Sequence, residues 1–159
     1  MNYWWVNANP SEWDVGSTPE NYESPYISQK LFDVTGTDWV SDYWRKANHS
    51  EAKEGDIVIC YKTGNIQKIV AIGRIKFVHR TDDGKVQGCY IEVIHKLPHP
   101  TISKEQLGNE YPDLGINNHS FTPATMYKLT QTQGLMLIGL TIISNDVARV
   151  SQIAGDSEL

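Results

Sequence analysis

Cysteine is scarce. Cys60 and Cys89 are the two in 159 residues, and they form no Cys-x-x-Cys pair. That scarcity excludes a thiolate zinc site. Both fall in apolar, strand-like stretches and read as buried free thiols of a reducing compartment, so a cytoplasmic location is expected. No run reaches the ~18 consecutive apolar residues of a membrane span, so no membrane partner is expected. Met1-Asn2-Tyr3 lacks a basic region followed by an apolar stretch, which argues against a signal peptide. There is no Gly-x-x-x-x-Gly-Lys, no Gly-x-Ser-x-Gly and no His-Glu-x-x-His. His49, His79, His95, His99 and His119 are scattered. His95 and His99 lie four apart, but Pro98 and Pro100 bar a helix there, so they make no metal pair. No catalytic residue, metal or cofactor is expected.

A basic excess is also missing: the net charge is −5. Its distribution is uneven. Residues 1–56 carry −6, residues 57–104 carry +5 and residues 105–159 carry −4. Local fields decide where phosphate can dock, so the central third matters more than the total. The rival reading is a solvated sheet face with scattered lysines.

With 40% hydrophobic residues, the chain suits one globular domain, residues 1–143, followed by a polar C-terminal tail, 144–159. The opening stretch reads as an aromatic strand over residues 2–8. It breaks at Asn9-Pro10 and restarts as one helical turn over 11–16. A strand end followed by a helix start makes a corner where backbone N–H groups and amides can face a ligand. Trp4 and Trp5 alternate, so one is expected in the core and the other outward or under a loop. Residues 17–37 read as a long loop with a short helix near 26–32. Thr37 or Asp38 caps a helix over 39–46, in which Val40, Tyr43, Trp44 and Ala47 form the apolar face.

Three antiparallel strands then follow, over 57–61, 68–78 and 86–97. They are joined by turns at Gly64-Asn65 and Asp82-Asp83-Gly84, with a bend or bulge at Gly73. Ser103-Lys104-Glu105-Gln106 fits a capping box, giving a helix over about 104–109. Residues 109–120 form an irregular loop. Thr122-Pro123 starts a helix running to about Gln131. Residues 134–143 read as a strand, with a buried helical turn as the alternative. The N-terminal strand joins the three central ones in a curled sheet, a small partly open barrel.

These segments together resemble the EVE domains, small members of the PUA-like class related to YTH domains. The resemblance rests on Tyr3-Trp4-Trp5 before Asn7-Ala8-Asn9-Pro10, and on Gly55-Asp56-Ile57-Val58-Ile59-Cys60-Tyr61 before the turn at Gly64. It also rests on Ile69-Val70-Ala71-Ile72-Gly73, on Ile91 to Leu97 leading into Ser103, and on Ser120-Phe121-Thr122-Pro123. It covers about residues 1–130. The fold it implies is α+β, a PUA-like partly open β-barrel of mainly antiparallel strands flanked by short helices. The function it implies is non-catalytic recognition of a modified nucleobase flipped from DNA or RNA into an aromatic pocket. An effector such as a nuclease is an implied partner. The chain departs from the family at Asn7 and Ala8, where lysine and a hydroxyl residue are usual, and at Lys62, where histidine is usual. The segment 39–46 is a shifted counterpart of the family's tryptophan-led Asn- and Arg-rich stretch.

The candidate pocket residues are Asn7, Asn9, Trp13, Trp39, Tyr43, Trp44, Thr63 and Ser120. Asn7 and Asn9 would read the base edge, the aromatic residues would stack, and Thr63 and Ser120 would donate. Each has a structural rival: turn capping for the polar residues, core packing for the rings. Lys62, Arg74, Lys76 and Arg80 are the phosphate candidates. Two other functions compete with the reader. One is a small-molecule or protein-interaction module of the same fold. The other is a small nucleobase-processing hydrolase, disfavoured because the Gly-x-Lys-x-x-Glu-x-Arg pattern of the related ASCH class is absent.

Overall fold

The computed structural model describes residues 1–11, 13–24, 27–28, 51–80, 82, 84, 86–116 and 126–157. Six strands form one mixed sheet: β1 (Tyr3–Ala8), β2 (Ile27–Ser28), β3 (Ile57–Lys62), β4 (Lys68–Arg80), β5 (Val86–Lys96) and β6 (Met126–Leu129). Their order is β2-β5-β4-β3-β1-β6. The edges β2 and β6 do not pair with each other, so the sheet stays open. Among the described residues two α-helices accompany it, α1 (Lys104–Glu110) and α2 (Gln131–Ser157). The architecture is α+β. Two short 3-10 segments, Pro19–Tyr22 and Pro112–Leu114, lie in the connections.

The expected three-strand meander forms, with Gly64 and Gly84 at positive φ in its turns. β1 joins it by pairing parallel to β3, Tyr3 opposite Ile57 through Ala8 opposite Lys62. This parallel pair has its start tied by one carboxylate. Asp56, buried at the turn before β3, accepts from the Asn2 N–H, the Trp4 indole N–H and the Lys53 N–H. Register between β4 and β5 shifts at three places, one beside Gly73. A Cβ on Gly73 would meet Ile91 Cγ2 at 2.9 Å and the Glu92 carbonyl at 3.0 Å, so this close crossing admits only hydrogen.

Both faces of the sheet are apolar, because alternate residues of the central strands are hydrophobic on each side. Trp4, Val6, Val58, Cys60, Ala71 and Ile91 share one cluster with Trp13 and Val15. Trp5, Ile59, Tyr61, Ile69 and Ile72 share the other with Leu107 of α1 and Leu137 of α2. Trp4 and Trp5 are therefore both core, on opposite faces, rather than one in and one out. Cys60 and Cys89 are buried free thiols, and burial pushes both up to about 12.

Several expected elements differ. Residues 126–129 form an edge strand on β1, not a helix. The Met126–Leu129 spacing of three looked helical, but both side chains are buried against the sheet. Residues 134–143 belong to the 27-residue helix α2, not to a strand. The sequence signal for it is a capping box at Thr130-Gln131-Thr132-Gln133. Gln133 N–H donates to Thr130 Oγ1 at 3.1 Å and Thr130 N–H donates to Gln133 Oε1 at 2.8 Å. α2 runs on without a break at 143, so residues 144–157 are helix rather than a polar tail, and this flanking helix is not short. It is also long and apolar enough, by length and composition, to cross a membrane. Its Leu137, Thr141 and Asn145 face is buried instead, and Gly134 lies against the Tyr3 ring, where a Cβ would come within 2.3 Å. Residues 11 and 13–16 form no regular helix, and the Trp13 N–H donates to the Asn9 carbonyl at 2.9 Å. Ile27–Ser28 is strand, where a short helix was expected. The helices expected over 39–46 and from Thr122 lie outside the described residues, apart from 126–129.

Candidate functional site

The corner stands where the parallel strands β1 and β3 end together. Asn7 pairs with Tyr61 and Ala8 with Lys62. Thr63 extends the ladder, its N–H at 2.9 Å and its Oγ1 at 3.2 Å from the Ala8 carbonyl. The Asn7 Oδ1 accepts from the Trp5 indole N–H at 2.9 Å. Asn9 Oδ1 accepts from both the N–H and the hydroxyl of Ser11, an Asx-type turn that stops the strand. Thr63 and Asn9 thus carry the backbone-capping roles that were the rival reading for them.

The charged part of the corner is a Lys62–Asp14 ion pair at 2.6 Å, with side chains 11% and 43% exposed. Hydrogen bonding from Lys62 holds the Asp14 carboxyl below its ordinary value, and Ser17 adds to the effect. Lys62 was expected to meet phosphate; it is buried and meets a carboxylate of its own chain. A carboxylate offers about four acceptor positions, so Asp14 retains capacity toward solvent. Sequence reasoning passed over Asp14. The helical-turn reading treated it only as an acid near a helix start.

Near the corner, the rings of Trp4, Trp5, Trp13 and Tyr61 are taken up by the core. Trp13 is buried, and its indole N–H donates to the Asn21 carbonyl at 2.9 Å. Trp5 stacks on Tyr61, centroids 5.0 Å apart and planes 29° apart. Lys104, the first residue of α1, lies over both rings, its ammonium 4.9 Å from the Tyr61 centroid and 5.8 Å from that of Trp5. Burial draws Lys104 down to about 8. The Ser103 cap was legible, with Gln106 N–H on Ser103 Oγ at 3.0 Å. The burial of Lys104 had no local signal, because it depends on rings that the fold delivers from β1 and β3. Trp39, Tyr43, Trp44 and Ser120 lie outside the described residues.

The other phosphate candidates lie farther along β4. Arg74 is paired with Glu92 and Lys76 with Glu23. Arg80 donates to the Ala52 carbonyl at 3.0 Å. A surface depression there is lined by Glu54, Gly55, Arg74, Ile75, Lys76 and Glu92, so its lining holds two acids and two bases. The structure does not bring these cations to the Asn7 corner. Beyond them, Phe77 and Tyr90 form an exposed cross-strand pair, centroids 6.3 Å apart, with His79 at 6.5 Å from Phe77. Sequence reasoning did not single out this patch. Phe77 lies nine steps along the strand from Lys68, about 30 Å from the corner.

No family model and no curated protein matches the chain. Solved structures do. The chain is similar to a protein of Rhodopseudomonas palustris solved by NMR, with 15% identity and a TM-score of 0.66, covering 90% of this chain and 94% of that one. It is similar to a hypothetical protein of Leishmania major at 10% identity and TM-score 0.64, covering 94% and 97%. A crystallised protein of Agrobacterium tumefaciens gives 17% identity, TM-score 0.60 and coverage of 88% and 92%. At these identities the likeness is one of fold, extending over nearly the whole of each chain.

Proposed function

We propose that this chain is a non-catalytic reader of a modified nucleobase in DNA or RNA, built on an EVE-like, PUA-like barrel. The observation that carries the reading is the Lys62–Asp14 pair, held where β1 and β3 end beside Asn7. A base edge presents donors and acceptors in one plane. Asp14 can accept from an exocyclic amine or ring N–H, and the Lys62 ammonium can donate to a ring nitrogen or carbonyl. The register shifts along the 13-residue β4 support a curled, partly open barrel. Trp4, Trp5 and Trp13 are core, so stacking on a flipped base falls to Trp39, Tyr43 and Trp44 in this reading. The added group on the base is read by fit, worth about 1–3 kcal/mol.

The test is fluorescence anisotropy with single-stranded and duplex oligonucleotides, DNA and RNA, each unmodified or carrying one modified base. The reading expects a preference of about tenfold or more for at least one modification. It also expects affinity to fall steeply with salt. Binding to no oligonucleotide at low salt would sink the reading. Salt-insensitive binding of a free base or other small apolar molecule would move it to the small-molecule alternative.

A further inference from the structure

Helix α2 has two apolar faces, and the fold uses one. At 100° per residue, Leu137, Thr141 and Asn145 fall on one side. These three are buried, and Asn145 Oδ1 accepts the His99 N–H at 2.6 Å. Met136, Ile143, Val147 and Val150 fall toward the opposite side, while the half-buried Leu140 beside them packs on the core. Ile143 is 64% exposed, Val147 60% and Val150 59%. A helix packed on one domain ordinarily carries a polar outer face. This one carries Asp146, Arg149 and Asp156 as its only charges.

We propose that this outer face of α2 is the seam of a homodimer, occupied by α2 of a second copy. The spacing argues for a helix partner. The exposed positions 136, 143, 147 and 150 fall on the two seam positions of a heptad, the rhythm that keeps a seam facing a neighbouring helix at about 20°. The chemistry argues for a like partner. The stripe is uncharged along its length, so two copies meet without opposing like charges, and Asp146 and Arg149 flank it with opposite signs. The area is that of a weak, concentration-dependent contact. Each copy offers about 400 Å² of exposed stripe side chain, so a pair buries about 800 Å². A lipid surface fits less well. Interfacial helices carry lysines and arginines on their polar side, whereas α2 has one arginine and two aspartates.

The test is sedimentation equilibrium of the full chain from about 1 to 100 µM at physiological salt. A reversible monomer–dimer equilibrium with a micromolar midpoint is expected. Val147→Gln and Ile143→Gln keep helix propensity at exposed sites. Each should raise the dissociation constant about tenfold, with the circular dichroism of the monomer unchanged. Thr132→Gln, outside the stripe, should leave it unchanged. In the unsubstituted protein the thermal midpoint should rise with concentration, because a partner that binds only the folded state stabilises it by mass action. A monomer at 100 µM with a concentration-independent midpoint overturns the proposal. So does a Val147→Gln protein that dimerises as before. A monomer that instead pellets with phosphatidylcholine–phosphatidylserine vesicles overturns it in favour of a lipid partner.

Discussion

Lys62 and Lys76 make the same contact, an ammonium on one carboxylate, in two settings. Lys62 sits at the end of β3 with 11% of its side chain exposed, held by Asp14. Lys76 stands on the open face of β4 with 51% exposed, held by Glu23. In the first setting, loss of the partner strands a charge away from water. In the second, water and salt replace the partner at little cost. The corner is therefore a fixed pattern of donor and acceptor, whereas the β4 face is a set of cations that a polyanion can take over from their acids. A reader of a modified base needs both properties, one to recognise the base and one to hold its backbone.

The largest effect is expected at the corner. Asp14→Asn should lower stability by about 1–2 kcal/mol in denaturant unfolding, because Lys62 keeps its charge and loses its counter-ion. Lys62→Met should cost less, since Asp14 is 43% exposed and can hydrate. That asymmetry is the check; equal costs would place the two sites in the same class as the exposed pairs. The acid limb follows from the same contact. Asp14 is held below its ordinary value, chiefly by Lys62. Its contribution is complete above about pH 4 and is lost as pH falls through the depressed value. Asp14→Asn should lack that part of the acid limb. On the proposed function, Asp14→Asn should also weaken binding of the preferred modified oligonucleotide about tenfold.

A smaller effect comes from Lys104, a lysine over aromatic rings. Its folded value is about 8, against 10.5 for the free side chain, and burial is the cause. Between those values the unfolded chain binds more protons, so stability rises with pH from about 8. Above about pH 10 the rise is opposed, because burial raises Tyr61 and the folded state then holds its proton longer. A gain of about 1 kcal/mol between pH 8 and 10 is expected in denaturant unfolding. Lys104→Met should flatten that limb. A flat limb in the unsubstituted protein would show that Lys104 is solvated and belongs with Lys76.

What the sequence revealed, and what it hid, divides along locality. The β3–β4–β5 meander was legible because its turns carry Gly64 and Gly84 and its strands alternate or run apolar. The Ser103 cap was legible for the same reason: donor and acceptor lie three residues apart. The Thr130–Gln133 box has identical spacing and was overlooked, because the strongly apolar run of 134–143 was read as a strand. The sheet and Tyr3 bury that segment as a helix, and packing overrides propensity. At the site, Asn7 and Lys62 could be named from the opening strand and its partner. The pairing of Lys62 with Asp14 could not, since it requires the parallel register of β1 on β3. Charge counting located the basic third of the chain, but pairing by Glu23 and Glu92 is a property of the folded sheet. The second apolar face of α2 was hidden by the strand reading, since a period of two conceals a stripe of period three and a half.

The smallest expected effect tests the β4 face. Glu23→Gln with Glu92→Gln removes the partners of Lys76 and Arg74 without altering side-chain size. Because Arg74 and Lys76 are exposed, the thermal midpoint should not move measurably. Binding should change instead. Two cations released from their acids add up to two phosphate contacts, each steepening the dependence of log affinity on log salt by about 0.7–0.9. Affinity for an unmodified oligonucleotide at low salt should rise severalfold. The preference for a modified base should stay as it was, because the corner is untouched. A gain in affinity that also erased the preference would mean that base and backbone are read by one continuous surface. No gain at all would mean that the nucleic acid does not cross β4, and its backbone path would then have to run over another part of the molecule.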